Sequence, residues 1–252
     1  MKKPLKMVKP PNRSFKKLML NVLASILAGV KKKVLPQYTA LRGQNPGIKS
    51  DSYGDTLLNL FAILKASHME LYDEAALRAE ILGIAHQIAD FNLNELKLLF
   101  INSLNVDPFL FEPWLDDEVK VFTQNNVAKI KSIQDNLFAE LEEIFIRNIR
   151  AGSTYRSLAK ELKRKFEITK NKSIIIARDQ TNKFNANLNR IRQQQVGITK
   201  FKWRIVDRNT RDSHKKREGK IFAWKDGDKG VYPGDEVLCQ CYAEPILDEV
   251  LT

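Results

Sequence analysis

The spacing of apolar residues changes once along this chain, and that change limits the fold more than any other feature. From Thr56 to Asp90, Leu57, Leu60, Phe61 and Leu64, then Leu71, Ala75, Leu82, Ala85 and Ala89, return at helical spacing. A short helix is expected from Asn94 to Asn105, stopping before Asp107-Pro108 because proline drives the residue ahead of it out of helical backbone. Past Pro113, Ile130, Ile133, Leu137, Leu141 and Ile144 draw a stripe along a long helix that Gly152 ends. Ser153 is placed to cap the next helix, whose Leu158, Leu162 and Phe166 share a face. A third, Lys172 to Gln195, carries Ile174, Ala177, Thr181, Phe184, Leu188 and Ile191 and stops at Gly197. At Phe201 the step becomes two: Phe201, Trp203 and Ile205 alternate with Lys202, Arg204 and Val206, as in a half-buried strand. Ile221-Phe222-Ala223-Trp224 supplies a partner strand, and Asp226-Gly227-Asp228 and Pro233-Gly234 supply turns. The expected class is α+β, a mainly helical N-terminal and central region ending in a small C-terminal α+β module.

Ahead of these helices, the apolar run Leu18 to Val30 lies between Lys16-Lys17 and Lys31-Lys32-Lys33. It leads into lysines instead of a small-residue cleavage site and is shorter than the ~18 residues of a membrane span, so neither a signal peptide nor a transmembrane segment is expected. As a helix over Phe15 to Val34 it has one narrow polar stripe, Lys17, Asn21, Ser25 and Lys32. The rest must be buried in the protein's own core, in a partner's groove or at a membrane surface. Residues 1–33 are taken as a flexible basic arm plus this helix, with a role in attachment. Pro36, Gly43, Asn45-Pro46-Gly47 and Gly54 mark a loop over Val34 to Asp55, and residues 34–110 form a helical region. His68 and His86 fit helical patterns as packed or surface residues.

Charge is segregated along the sequence. Net charge is +10 over residues 1–33, −8 over 34–149, +15 over 150–220 and −5 over 221–252, within a total of +12. Two basic blocks suit a polyanion, because neutralising phosphates releases condensed counterions without reading base sequence. Lys163, Arg164, Lys165, Arg178, Arg190 and Arg192 are the candidate contacts to double-stranded DNA. Two cysteines cannot make a disulfide framework, and a disulfide within Cys239-Gln240-Cys241 would be strained, which fits a reducing assembly site.

The C-terminal quarter holds one spaced set: Trp203, Asp207, Arg211, His214, Gly219-Lys220, Phe222, Pro233-Gly234 and Cys239-Gln240-Cys241. As WRIVDRNTRDSHKKREGKIF followed by YPGDEVLCQCYAEP, it resembles the phage Mu protein F-like minor head proteins of tailed phages and prophages. The resemblance reaches back through Ile176 to Thr181 and the Arg150-Ala151-Gly152-Ser153 turn to the helical run from about Asn126, so residues 111–252 are taken as the Mu F-like domain. Departures are Asn209, where the family often has arginine, Glu218, where it has aspartate, and Gln240 in place of the arginine of Cys-Arg-Cys. The resemblance implies head morphogenesis, association with the portal protein and other capsid components, a place inside the virion head after assembly in the host cytoplasm, and influence on packaged DNA.

Three readings of the signature stay open. Asp207 and Arg211 pair and fasten a loop-rich module with His214 beside them, which is the favoured one. Asp207, His214, Cys239 and Cys241 hold a structural zinc, no other cofactor being expected. The rival from another class is a virion-associated DNA-cleaving enzyme, with His214 as general acid or base and Arg211, Lys215 or Lys220 on the phosphate. The sequence offers that rival no evident carboxylate cluster for paired magnesium ions and no Gly-rich phosphate loop, so the protein is expected not to be an enzyme.

Overall fold

A computed structural model describes residues 10, 12–44, 51–206 and 210–247. Apart from Pro10 and Asn12, the expected basic arm lies outside the described residues. The elements are α1 (Arg13–Gly29), a π-helical turn (Val30–Val34), α2 (Leu35–Gln44), α3 (Asp51–Leu71), α4 (Glu74–Leu104), α5 (Leu115–Arg150), α6 (Tyr155–Gln195), β1 (Lys200–Arg204), α7 (Asp212–Lys215), β2 (Ile221–Ala223) and β3 (Tyr242–Pro245). The architecture is mainly helical with a small C-terminal antiparallel sheet, as the change of period requires.

By its internal contacts the chain divides into two compact units, neither a single stretch of sequence. One, the helical unit, is Lys16–Ile81 with Thr123–Ile174; the other, the sheet unit, is Met1–Phe15, Leu82–Phe122 and Ile175–Thr252.

In the helical unit, Leu23, Ile26, Val30 and Val34 pack with Phe61 and Leu64 of α3, Leu137, Leu141 and Phe145 of α5, and Leu158 and Leu162 of α6. Of the destinations open to the apolar helix, the structure uses the protein's own core. A Cβ on Gly29 would collide with Leu64, so α1 and α3 approach too closely for any side chain there. The loop expected over 34–55 is corrected: α2 covers 35–44 and α3 begins at Asp51. Pro36 removes an i→i−4 hydrogen bond and pushes on the carbonyl it would face. The π turn just before it, where the Leu35 N–H donates to the Val30 carbonyl, absorbs that conflict without ending the helix. Burial supplies the reason to continue, since Tyr38 is 1% exposed, packs edge-on to Phe145 and donates its hydroxyl to the Ser153 carbonyl at 2.8 Å.

Two further boundaries differ from the sequence reading. The cap of α6 is Thr154, whose Oγ1 accepts the Ser157 N–H; Ser153 instead gives its N–H to the Asn148 carbonyl, closing α5 beyond Gly152 at φ 63°. Both α4 and α6 are single helices where two were expected on each. The buried stripe is not interrupted there; polar residues occupy it, Asn92 at 0% exposure on α4 and Thr169 and Ser173 on α6.

His68 is a packed core histidine and His86 is exposed. The His68 ring lies between Gln134 Nε2, 2.9 Å from its Nε2, and Ser25 Oγ, 3.3 Å from its Nδ1. Burial pushes its pKa down to about 4. A histidine lowered in the fold takes up its proton more readily when unfolded, so its contribution is complete above pH 6.5 and is lost as pH falls from there toward 4. The loss is about 2 kcal/mol once solvent screening is allowed for. Urea midpoints should fall between pH 7 and pH 4.5, and His68→Asn should flatten that decline; an unchanged slope in the variant would refute the assignment.

In the sheet unit the strand order is β2-β1-β3, both pairs antiparallel, with Phe201 opposite Phe222 and Trp203 opposite Ala243. Phe201 and Trp203 point inward at 0% exposure and meet Leu96, Leu99, Phe100, Phe109 and Trp224. The third strand was not foreseen: four residues ending in proline carry too little alternation to read.

Candidate functional site

The C-terminal signature is built mostly from backbone closures around Trp203. Its N–H donates to the Lys220 carbonyl at 2.9 Å and its carbonyl accepts the Gly219 N–H at 2.8 Å. Gly219 has φ 75°, a conformation glycine adopts without strain. The Gly219-Lys220 pair therefore returns the chain to β1, and the Lys220 side chain is exposed. Pro233 and Gly234 form a second closure: a Cβ on Gly234, at φ 97°, would strike Ala186 of α6. The Gly234 N–H is aimed at Cys239 Sγ, 3.3 Å away.

Those closures bring three side chains together behind the sheet. His214, on the short helix α7, is 2% exposed, and Cys239 and Cys241 are free thiols at 5% and 6%. His214 Nδ1 is 3.2 Å from Cys241 Sγ and 3.6 Å from Cys239 Sγ. The other ring nitrogen, Nε2, lies 3.0 Å from Glu236 Oε2. A carboxylate accepts, so Nε2 carries the proton and the Nδ1 lone pair faces the sulfurs. The Cys241 thiol, by hydrogen bonding, pushes the Cys239 pKa down to about 6; the same bond and burial push Cys241 up. Hydrogen bonding from His214 holds the Glu236 carboxyl below its ordinary range, with help from Arg217 and Arg211.

Asp207 lies outside the described residues. Among the described residues, Arg211 donates to Glu236 Oε2 at 2.6 Å and to the Val237 carbonyl at 2.6 Å. Arg217 bonds Asp228 and Glu236 while its guanidinium sits 4.9 Å from the centre of the Trp203 ring. Glu236 thus joins His214, Arg211 and Arg217, and the sequence reading did not single it out. Also missed was a row on α6. Asp179 Oδ1 accepts the Leu238 N–H at 2.7 Å, Asn182 donates to the Cys239 carbonyl, and Asn189 and Gln193 both donate to the Ala243 carbonyl. Leu238, at φ 61°, is a non-glycine residue in left-handed backbone, held there by Asp179. The signal was polar residues recurring at 179, 182, 189 and 193, which a search for apolar stripes passes over.

Residues 139–244 match a family described as Phage Mu protein F like protein. Over that segment the chain is similar to the phage Mu protein F-like family. The match suggests a part in phage head morphogenesis. The Mu F-like segment begins within α5, ends in β3 and contains every signature residue from Trp203 to Cys241. An "Uncharacterized protein" of Haemophilus influenzae is 27% identical over 207 residues, which is 79% of this chain but only 46% of that relative's length. No solved structure matches the chain.

The cationic candidates of the Mu F-like segment separate by burial. Arg192 is corrected: at 1% exposure it bonds both Glu112 oxygens, the Ala89 carbonyl and Asn92 Oδ1, so no phosphate can reach it. Arg190 lies over the Tyr232 ring and bonds Asn187, Arg178 is half-buried, and Lys165 pairs with Glu140. Lys163 and Arg164 are exposed, in line with Arg156 and Lys160 on the α6 surface of the helical unit. Part of the charge segregated in sequence is paired in space, with Arg204 on Glu218 and Glu244 and Arg217 on Asp228 and Glu236. His214, buried with both ring nitrogens engaged, offers no free nitrogen to a scissile phosphate in this arrangement. No helix among the described residues is long and apolar enough to cross a membrane.

Proposed function

We propose that the protein is a minor head protein of a tailed phage or prophage, built into the head at the portal vertex and touching packaged DNA through the exposed side of α6. The observation that supports this reading is the Mu F-like match across residues 139–244, together with a signature whose residues close one module. The DNA contact is supported by the exposed row Arg156, Lys160, Lys163 and Arg164, spaced at one helical turn. Arg192, buried in its ion pair, is not proposed as a contact.

The test is made on heads purified after induction of a phage that encodes the protein. It should copurify at low copy and cross-link to portal; a protein confined to the soluble fraction would reject the placement. Duplex binding by the purified chain should weaken with salt and ignore sequence. Replacing Lys160, Lys163 and Arg164 by glutamine should lower the slope of log affinity against log salt by about three at most. An unchanged slope would remove α6 as the DNA-facing element.

A further inference from the structure

We propose that His214, Cys239 and Cys241 are three ligands of a zinc ion that fastens the module, with Glu236 holding the histidine in register. The ligand atoms Nδ1, Sγ and Sγ all lie within 4.8 Å of one another. Zinc takes imidazole nitrogen at ~2.1 Å and thiolate at ~2.3 Å, so a tetrahedral centre sets nitrogen and sulfur about 3.6 Å apart. His214 Nδ1 stands 3.2 and 3.6 Å from the two sulfurs, near that separation.

Three neighbours fit a metal better than a pair of packed thiols. Glu236 accepts from Nε2 at 3.0 Å, which fixes the tautomer that presents Nδ1, and histidine ligands are commonly oriented by a carboxylate in this way. Glu236 is itself held by Arg211 and Arg217, so its position does not depend on the histidine alone. The Gly234 N–H donates to Cys239 Sγ, a bond that strengthens when the sulfur is a thiolate. The third is Trp203, in the same buried cluster, whose Nε1 has no hydrogen-bond partner; a metal-bound thiolate is a better acceptor than a thiol. Soft sulfur with imidazole selects zinc over magnesium or calcium. The three strands have five, three and four residues. An ion joining α7 to the segment before β3 would supply fastening that so small a sheet lacks.

The experiment measures metal in the full-length protein, purified without a metal-affinity step, and then in cobalt-substituted protein. One zinc per chain is expected, and cobalt should give sulfur-to-metal charge-transfer bands with tetrahedral visible absorption. The double variant Cys239→Ser, Cys241→Ser should lose the metal, and Glu236→Gln should keep the site but bind zinc about 10- to 100-fold more weakly. Chelation of wild type should lower its melting temperature, because metal and folding are coupled. Wild type that takes up no zinc when supplied with it, or cobalt protein without sulfur charge transfer, would overturn the proposal even if the serine variant fails to fold. So would zinc retained by a folded serine variant.

Discussion

A chain that begins at Leu35 should lose the cooperative unfolding of the helical unit. Leu23, Ile26, Val30 and Val34 are all at or below 5% exposure and sit inside the core that α3, α5 and α6 complete. Removing even one such side chain costs about 2 kcal/mol or more, and four together reach the whole stability of an ordinary domain, about 5–15 kcal/mol. The exposed Lys31, Lys32 and Lys33 are lost in the same truncation but contribute little to folding. Thermal melts followed by circular dichroism, with limited proteolysis of residues 51–81 and 123–174, would read the effect. Protection of those segments in the truncated chain would show that α1 is dispensable. The result also reassigns the attachment role expected for residues 1–33. Poor incorporation of such a truncation into heads would follow from unfolding, so attachment has to be tested by removing residues 1–12 alone.

What could be read in advance followed from side-chain chemistry that repeats. Ile130, Leu137, Leu141 and Ile144 announced α5, Gly152 and Gly197 ended α5 and α6 in left-handed backbone, and the inward Phe201 and Trp203 announced β1. What could not be read was held by polar residues in apolar positions. Asn92, Thr169 and Ser173 keep α4 and α6 continuous, but a polar residue in a stripe looks like its end. Pro36 looked like a terminus because propensity favours one, and burial of Val34, Leu35 and Tyr38 overrode it. The signature grouped Asp207, His214, Cys239 and Cys241; the last three meet in space, and Asp207 lies outside the described residues. The signature said nothing of Glu236, because one glutamate in a loop is indistinguishable from any solvated carboxylate until Arg211, Arg217 and His214 converge on it. Charge behaved the same way: the +15 of residues 150–220 is a property of the list of residues, and some of its cations are paired with acidic residues from elsewhere in the sequence, Glu112, Glu236 and Glu244 among them.

Arg192→Met should destabilise the sheet unit by about 3–5 kcal/mol, a far larger effect than a surface cation would have. The guanidinium is the most fully bonded charge described: Nε and Nη2 take the two Glu112 oxygens at 2.6 and 2.8 Å, and Nη1 takes the Ala89 carbonyl and Asn92 Oδ1 at 2.9 and 2.7 Å. Methionine fills most of the space, so the loss comes from what is left behind. Glu112 keeps a carboxylate in a poorly solvated place, and Asn92 loses one of the partners that hold it at 0% exposure. Removing the stranded charge as well, in Arg192→Met with Glu112→Leu, should recover much of the stability, because a buried ion pair is worth little more than an apolar pair of the same volume. Denaturant unfolding of the two single variants and the double variant measures the coupling directly. A single variant within about 0.5 kcal/mol of wild type would mean that Arg192 is solvated in solution, and it would then return to the set of cations available to DNA.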